Sequence, residues 1–250
     1  AKINALSTYN FNFATNPISL GTTVGFLDNA GKFSRFFEMA QVQREGEPEI
    51  IEQSAVVSRL FEKDLKLISN SRENSVIFFS EEGTSTLYGY RYFDNIRERK
   101  LASWFKWTLT GEIQYHCMQD DSLYVVVRTK TTSPHKDQIL KYSIKMDSNT
   151  FALSENRIHL DHLMSTSGWS HNPTTNKSTK AKPVGLESSN QLAAYISATA
   201  SGQNLEGIGR YGEITINSSG QMELDGNWEN ETVYVGYQFT MQVDLPTIYY

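Results

Sequence analysis

Cysteine is almost absent. Cys117 is the single thiol in 250 residues, so no disulfide framework can form within the chain. It lies inside an apolar run and reads as a buried small hydrophobe rather than a catalytic thiol. Long hydrophobic runs are missing too: no stretch approaches the ~18 apolar residues of a membrane-crossing helix, and no secretory signal is expected. Basic charge is scarce. The 23 basic and 28 acidic residues leave a net charge of -5, which advertises neither a nucleic-acid footprint nor a membrane-surface patch. Charged residues make up only 20% while aromatics reach 12%, a balance that suits a β-rich globule better than a helical bundle. The chain begins at Ala1 rather than Met, as expected of a processed chain or a piece of a longer protein.

Catalytic motifs are missing as well. There is no G-x-S-x-G elbow, P-loop or H-E-x-x-H. Gly207-Ile208-Gly209-Arg210-Tyr211-Gly212 matches G-x-G-x-x-G letter for letter. The dinucleotide mechanism needs a strand before that motif and a helix opening on it. Here a polar loop precedes it and a β-like stretch follows, so it reads as a turn. His159, Asp161 and His162 lie close together, but no second cluster offers further metal ligands, and the segment reads as ordinary polar surface. The carboxylate pairs Glu81-Glu82 and Asp120-Asp121 sit where turns between strands are expected. A glycosidase would hold its two carboxyls about 5–10 Å apart across a cleft. The N-x-[ST] matches at Asn176, Asn217 and Asn230 matter only in a secreted protein. No enzyme, metal or cofactor is expected.

What is present is a dense set of apolar and aromatic runs between residues 85 and 130, each cut by a short polar turn. That is the pattern of antiparallel β-meanders. The runs are apolar on both faces. Alternation along residues 102–109 puts Phe105, Trp107 and Leu109 on one face and Trp104 beside Lys106 on the other. Along residues 87–93, Tyr88, Tyr90 and Tyr92 oppose Leu87 and Phe93. Leu123, Val125 and Val127 oppose Tyr124 and Val126. A sheet washed by water on one side alternates more cleanly, so short sheets stacked face to face are predicted, as in a sandwich or propeller blades.

The rest of the chain follows this rhythm. Residues 22–39 read as a hairpin around the Asp28-Asn29-Ala30-Gly31 turn. Residues 43–53 read as an exposed loop. Val56, Val57, Leu60, Phe61 and Leu65 recur at near-helical spacing, which suggests a short helix or an irregular apolar connection. From residue 76 to residue 145, strand starts come about ten to sixteen residues apart. Residues 165–191 are dominated by Ser, Thr, Asn, Lys and Pro around a lone Trp169 and are predicted to form a long polar loop. Lys177, Lys180 and Lys182 make it locally basic, and with Trp169 as an apolar anchor it is a candidate assembly contact. Residues 191–200, 211–217, 221–224 and 232–245 read as a second set of strands. One β-rich domain over residues 1–250 is expected, with no internal repeat clear enough to assign a propeller family.

Residues 87–109, LYGYRYF…RKLASWFKWTL, are similar to a segment of the tail tubular protein B family, the nozzle proteins of short-tailed, T7-like bacteriophages. The resemblance lies in a Tyr-rich strand, a turn with Arg, an Ala-x-Trp-Phe-Lys-Trp-x-Leu-like run, and a further Leu-Tyr-Val-Val strand at residues 123–126. Residues 20–39 resemble the same family, as do Val235-Gly236-Tyr237 with residues 243–246. The resemblance implies a non-enzymatic virion component of the tail with a β-propeller-like portion. It implies a hexameric ring, attachment to a tail adaptor protein, docking of tail fibres and passage of DNA without specific binding. Family members are several times longer, so this chain would be their central portion. Tyr88, Tyr90, Arg91, Trp104, Phe105 and Trp107 would be its structural signature, packing between blades. A different class stays open on the residues alone: the abundance of Tyr and Trp also suits a carbohydrate-binding β-module that recognises a host surface.

Overall fold

The computed structural model describes residues 9–28, 33–41, 48–61, 65–94, 99–129, 135–144, 158–186, 191–195 and 211–243. The chain divides into two compact units, Ala1–Met146 and Asp147–Tyr250. Both are built almost wholly of antiparallel strands. Among the described residues no sheet closes into a barrel or a propeller.

The first unit is a succession of meanders. β1 (Ile18–Ser19), β2 (Thr23–Asp28), β3 (Arg35–Gln41) and β4 (Pro48–Glu52) form one sheet in chain order. β5 (Leu67–Ser71), β6 (Val76–Ser80), β7 (Thr86–Asp94) and β8 (Arg99–Thr108) form the second. β9 (Glu112–Gln119), β10 (Ser122–Thr129) and β11 (Lys136–Ser143) form the third. Short turns make this local order possible. Gln119 pairs with Ser122 across a two-residue turn, and Asp120 supplies the positive φ of 51° that such a turn needs.

Period-2 alternation divides the second sheet between two cores. Ile77, Phe79, Tyr88, Tyr90 and Tyr92 meet Leu27 and Phe36 of the first sheet. Val76, Phe78 and Leu87 meet Ile113, Leu123, Val125 and Val127 of the third. The second sheet is therefore covered on both sides, as its two-faced apolarity predicts. Each such fully buried side chain contributes roughly 1.5–3 kcal/mol of transfer free energy.

Of the two readings of residues 56–65 the irregular apolar connection is the one found, and the loop expected over residues 43–53 is corrected. Among the described residues of this unit, helix is limited to a 3-10 turn at Ala55–Val57, where Val56 is 87% exposed. Phe61 and Leu65 reach the core, and half-buried Leu60 packs against it. Hydrogen bonds fix Leu65 in its irregular path: its N–H donates to Ser34 Oγ at 2.9 Å, and its carbonyl accepts from Asn12 Nδ2 at 2.8 Å. The expected loop over residues 43–53 contains β4, which pairs with β3 along its length. Its only proline, Pro48, stands at the first residue of an edge strand, where the missing N–H costs no ladder bond. Residues 42–47 lie outside the described set.

The second unit holds two four-stranded sheets. β12 (Asp161–Thr166), β13 (Ser170–Asn172), β14 (Lys177–Ala181), β15 (Leu192–Tyr195), β16 (Tyr211–Glu213), β17 (Thr215–Ile216), β18 (Gln221–Asp225) and β19 (Val233–Tyr237) follow in chain order. They assemble as β12-β19-β15-β16 and β13-β14-β18-β17 around a core that includes Leu192, Met222, Leu224 and Val235. The polar stretch over residues 165–191 is thus no long loop. It contains the β13–β14 hairpin, and β14 pairs with β18 from Lys177 to Ala181. Its polar side chains serve buried backbone: Ser178 Oγ donates to Gly226 O at 2.7 Å and accepts from Trp228 N–H at 3.0 Å.

Candidate assembly surfaces

The aromatic signature is interior packing, divided between two cores. Tyr90 is fully buried, and its ring lies 4.4 Å from that of Trp104. Both side chains reach Gln53: Tyr90 Oη donates to Oε1 at 3.2 Å, and Trp104 Nε1 donates to the backbone carbonyl at 3.3 Å. Tyr88 packs edge-on to Phe61 at 5.2 Å. On the opposite face, Phe105 lies across Gly89, where a Cβ would stand 2.1 Å from the ring. Any larger residue at position 89 must displace that ring. Trp107 is half-buried between Phe78 and Tyr142, with ring centroids at 5.6 and 5.8 Å. Arg91 is exposed on β7 opposite Ser103.

The proposed contact residues of the second unit are structural as well. Trp169 is 1% exposed in the core, and its Nε1 donates to Thr166 Oγ1 at 3.2 Å. It is therefore a core anchor, not an exposed one. Lys177 pairs with Glu223 at 2.5 Å, a partner that raises the pKa of its ammonium. Lys180 Nζ donates to Gly168 O at 3.2 Å, and Lys182 Nζ donates to Leu186 O. All three cations are engaged within their own unit.

The polar groups that could suggest catalysis do not converge. Glu81, Glu82, Asp120 and Asp121 lie in or beside turns between strands. Asp121 Oδ1 accepts from Asn74 Nδ2 at 2.9 Å. Among the described residues no group of His, Cys, Asp and Glu could hold a metal ion. His162 sits at a register irregularity of β12 with φ of 50° and packs on Tyr237 at 5.0 Å. Burial lowers its pKa, against the pull of neighbouring Asp161. Of the glycine-rich match, residues 207–210 lie outside the described set, while Tyr211 and Gly212 open β16 rather than a helix.

One buried polar contact was not legible in the sequence. His116 on β9 faces Ser69 on β5, with Nδ1 and Oγ 2.7 Å apart, and so ties the third sheet to the second. Its Nε2 is buried with no hydrogen-bond partner, and burial pushes its pKa down to about 4. A bulge puts it there. Tyr115 pairs with Val126 but Ile113 with Val127, so Gln114 has no cross-strand pairing partner and both Ile113 and His116 face inward.

A family model described as bacteriophage nozzle protein matches residues 1–250, the whole chain. The chain belongs to the bacteriophage nozzle protein family. No curated protein matches it significantly. Membership makes it a component of the virion tail, and no helix among its described residues is long and apolar enough to cross a membrane.

For a structural nozzle protein, the surfaces that matter are those left open. Tyr115 and Ile139, 54% and 73% exposed, flank Val126 across the outer face of the third sheet. After β19, Phe239, Met241 and Val243 are 56%, 79% and 62% exposed. β8 ends the second sheet with an edge that no described strand covers. Apolar alternation was the available signal for the first two; strand order, which exposes the third, is invisible in sequence.

Proposed function

We propose that this chain is a wall-building part of the tail nozzle of a short-tailed phage, the central portion of a longer subunit. It works through protein–protein contacts in a hexameric ring, joined to the tail adaptor and tail fibres, and lets DNA pass without binding it specifically. Its stacked meanders act as blades of a propeller-like body, with no enzymatic role. The family match over the whole chain carries this reading. Two observations support it. The signature aromatics are spent on packing between sheets, and the carboxylates considered for catalysis lie in or beside turns. The sugar-binding alternative gains nothing from the tryptophans, which stack on sugars only when exposed: Trp169 and Trp228 are buried, and Trp104 and Trp107 half-buried. Immunogold microscopy of the source virus with antibodies to this chain should place gold at the tail tip. Labelling confined to the capsid, or none, would reject the assignment.

A further inference from the structure

We propose that β8 accepts an added strand from a second copy of this chain, and that the donor is the stretch from Phe239 to Val243. The inference rests on the reading of the chain as a subunit of a closed assembly.

The acceptor is a long and poorly guarded edge. β8 has ten residues and lies at the end of its sheet. Leu109 N–H donates to Ser85 O at 2.8 Å, and the register pairs Leu87 with Trp107. Odd-numbered residues of β8 therefore bond to β7. Ala102, Trp104, Lys106 and Thr108 aim their N–H and C=O groups away from it. Natural sheets blunt such edges with prolines, bulges, short strands or inward charges. Between Leu101 and Thr108 there is no proline, no bulge and a single charge, Lys106. Leu101 is 46% exposed, and Phe105 and Trp107 beside it are half-buried, so a further strand would complete their cover.

The donor has the matching chemistry. Phe239-Thr240-Met241-Gln242-Val243 alternates apolar and polar residues, the pattern of a strand with one apolar face. It belongs to no sheet among the described residues, and its three apolar side chains are exposed. Laid along β8, Phe239, Met241 and Val243 would extend the Leu101, Phe105 and Trp107 face. Thr240 and Gln242 would fall on the face of Lys106 and Thr108. Backbone bonds supply the affinity in strand addition, and alternate side chains supply the specificity. Because donor and acceptor are different surfaces, such a contact is heterologous, and it closes a ring where the rotation between copies allows.

Sedimentation velocity on the full chain, from about 1 to about 100 µM, tests this. The wild type should self-associate with concentration. Met241→Asp puts a charge on the donor's apolar face and should weaken association at least ~10-fold, with an unchanged circular dichroism spectrum. Lys106→Pro removes an outward donor and leaves the β7 ladder intact, and should do the same. Mixed in equal amounts, the two variants keep one good donor and one good edge, so they should form a heterodimer and nothing larger. If Lys106→Pro does not fold, the Met241→Asp comparison alone decides. A monomeric wild type, association unchanged in Met241→Asp, or association lost instead in Ile139→Asp would overturn the strand exchange. None of these would touch the tail assignment, which the gold labelling tests separately.

Discussion

Single residues show how burial decides what a side chain does here. His116 has the ring and the neighbouring hydroxyl of a catalytic pair, yet both belong to the seam between two sheets. Its pKa is pushed from 6.5 to about 4 by desolvation, so the folded chain holds the ring neutral. The unfolded chain takes up a proton near 6.5, and between that pH and about 4 it binds more protons than the folded one. Stability therefore falls as pH falls through this window, and the loss is complete below about 4. At ~1.4 kcal/mol per pH unit, the full loss is on the order of 3 kcal/mol. Urea unfolding at neutral pH and at successively lower pH should show this decline. His116→Leu should flatten it, and an equal decline in that variant would mean other groups carry the acid sensitivity.

Elements were legible where side-chain alternation was strong. The division of Tyr88 and Tyr90 from Leu87, and of Trp104 from Phe105 and Trp107, follows from period 2 alone, and both faces found their covers. Alternation failed where polar residues carry the strand. Lys177–Ala181 reads as Lys-Ser-Thr-Lys-Ala, yet it is a central strand, paired with β13 and β18, because its neighbours supply the apolar cover. Trp169 looked solitary in sequence because its partners Leu192, Met222 and Val235 are distant along the chain. Replacing residues 165–191 with a short Gly-Ser linker removes that indole, the β13–β14 hairpin and the hydroxyl of Ser178. A buried Trp→Ala change alone costs about 3–5 kcal/mol, a large share of a domain's ~5–15 kcal/mol. The replacement should abolish folding of Asp147–Tyr250, seen as loss of dispersed methyl resonances from that unit. A linker variant with native dispersion would show the segment to be dispensable.

At the scale of the whole molecule, the sequence carried the class and the family, since the central motif and the face-stacked meanders are local features. Two compact units, Ala1–Met146 and Asp147–Tyr250, divide the chain between them. Its charge also bears on the proposed conduit. Net charge is -5, and several described cations have partners in their own unit: Arg35 with Asp28, Arg128 with Asp137, and Lys177 with Glu223. Duplex DNA is held without regard to sequence when clustered Lys and Arg neutralise phosphates and release counterions. A wall of net negative charge with several of its cations already paired offers fewer such contacts, so a duplex would slide past more readily. The chain should therefore leave duplex DNA unshifted in a gel at about 50 mM salt, where electrostatic binding is strongest. A clear shift that fades steeply by about 200 mM would reveal a basic track. DNA would then be gripped, and the smooth-walled conduit would be the wrong picture.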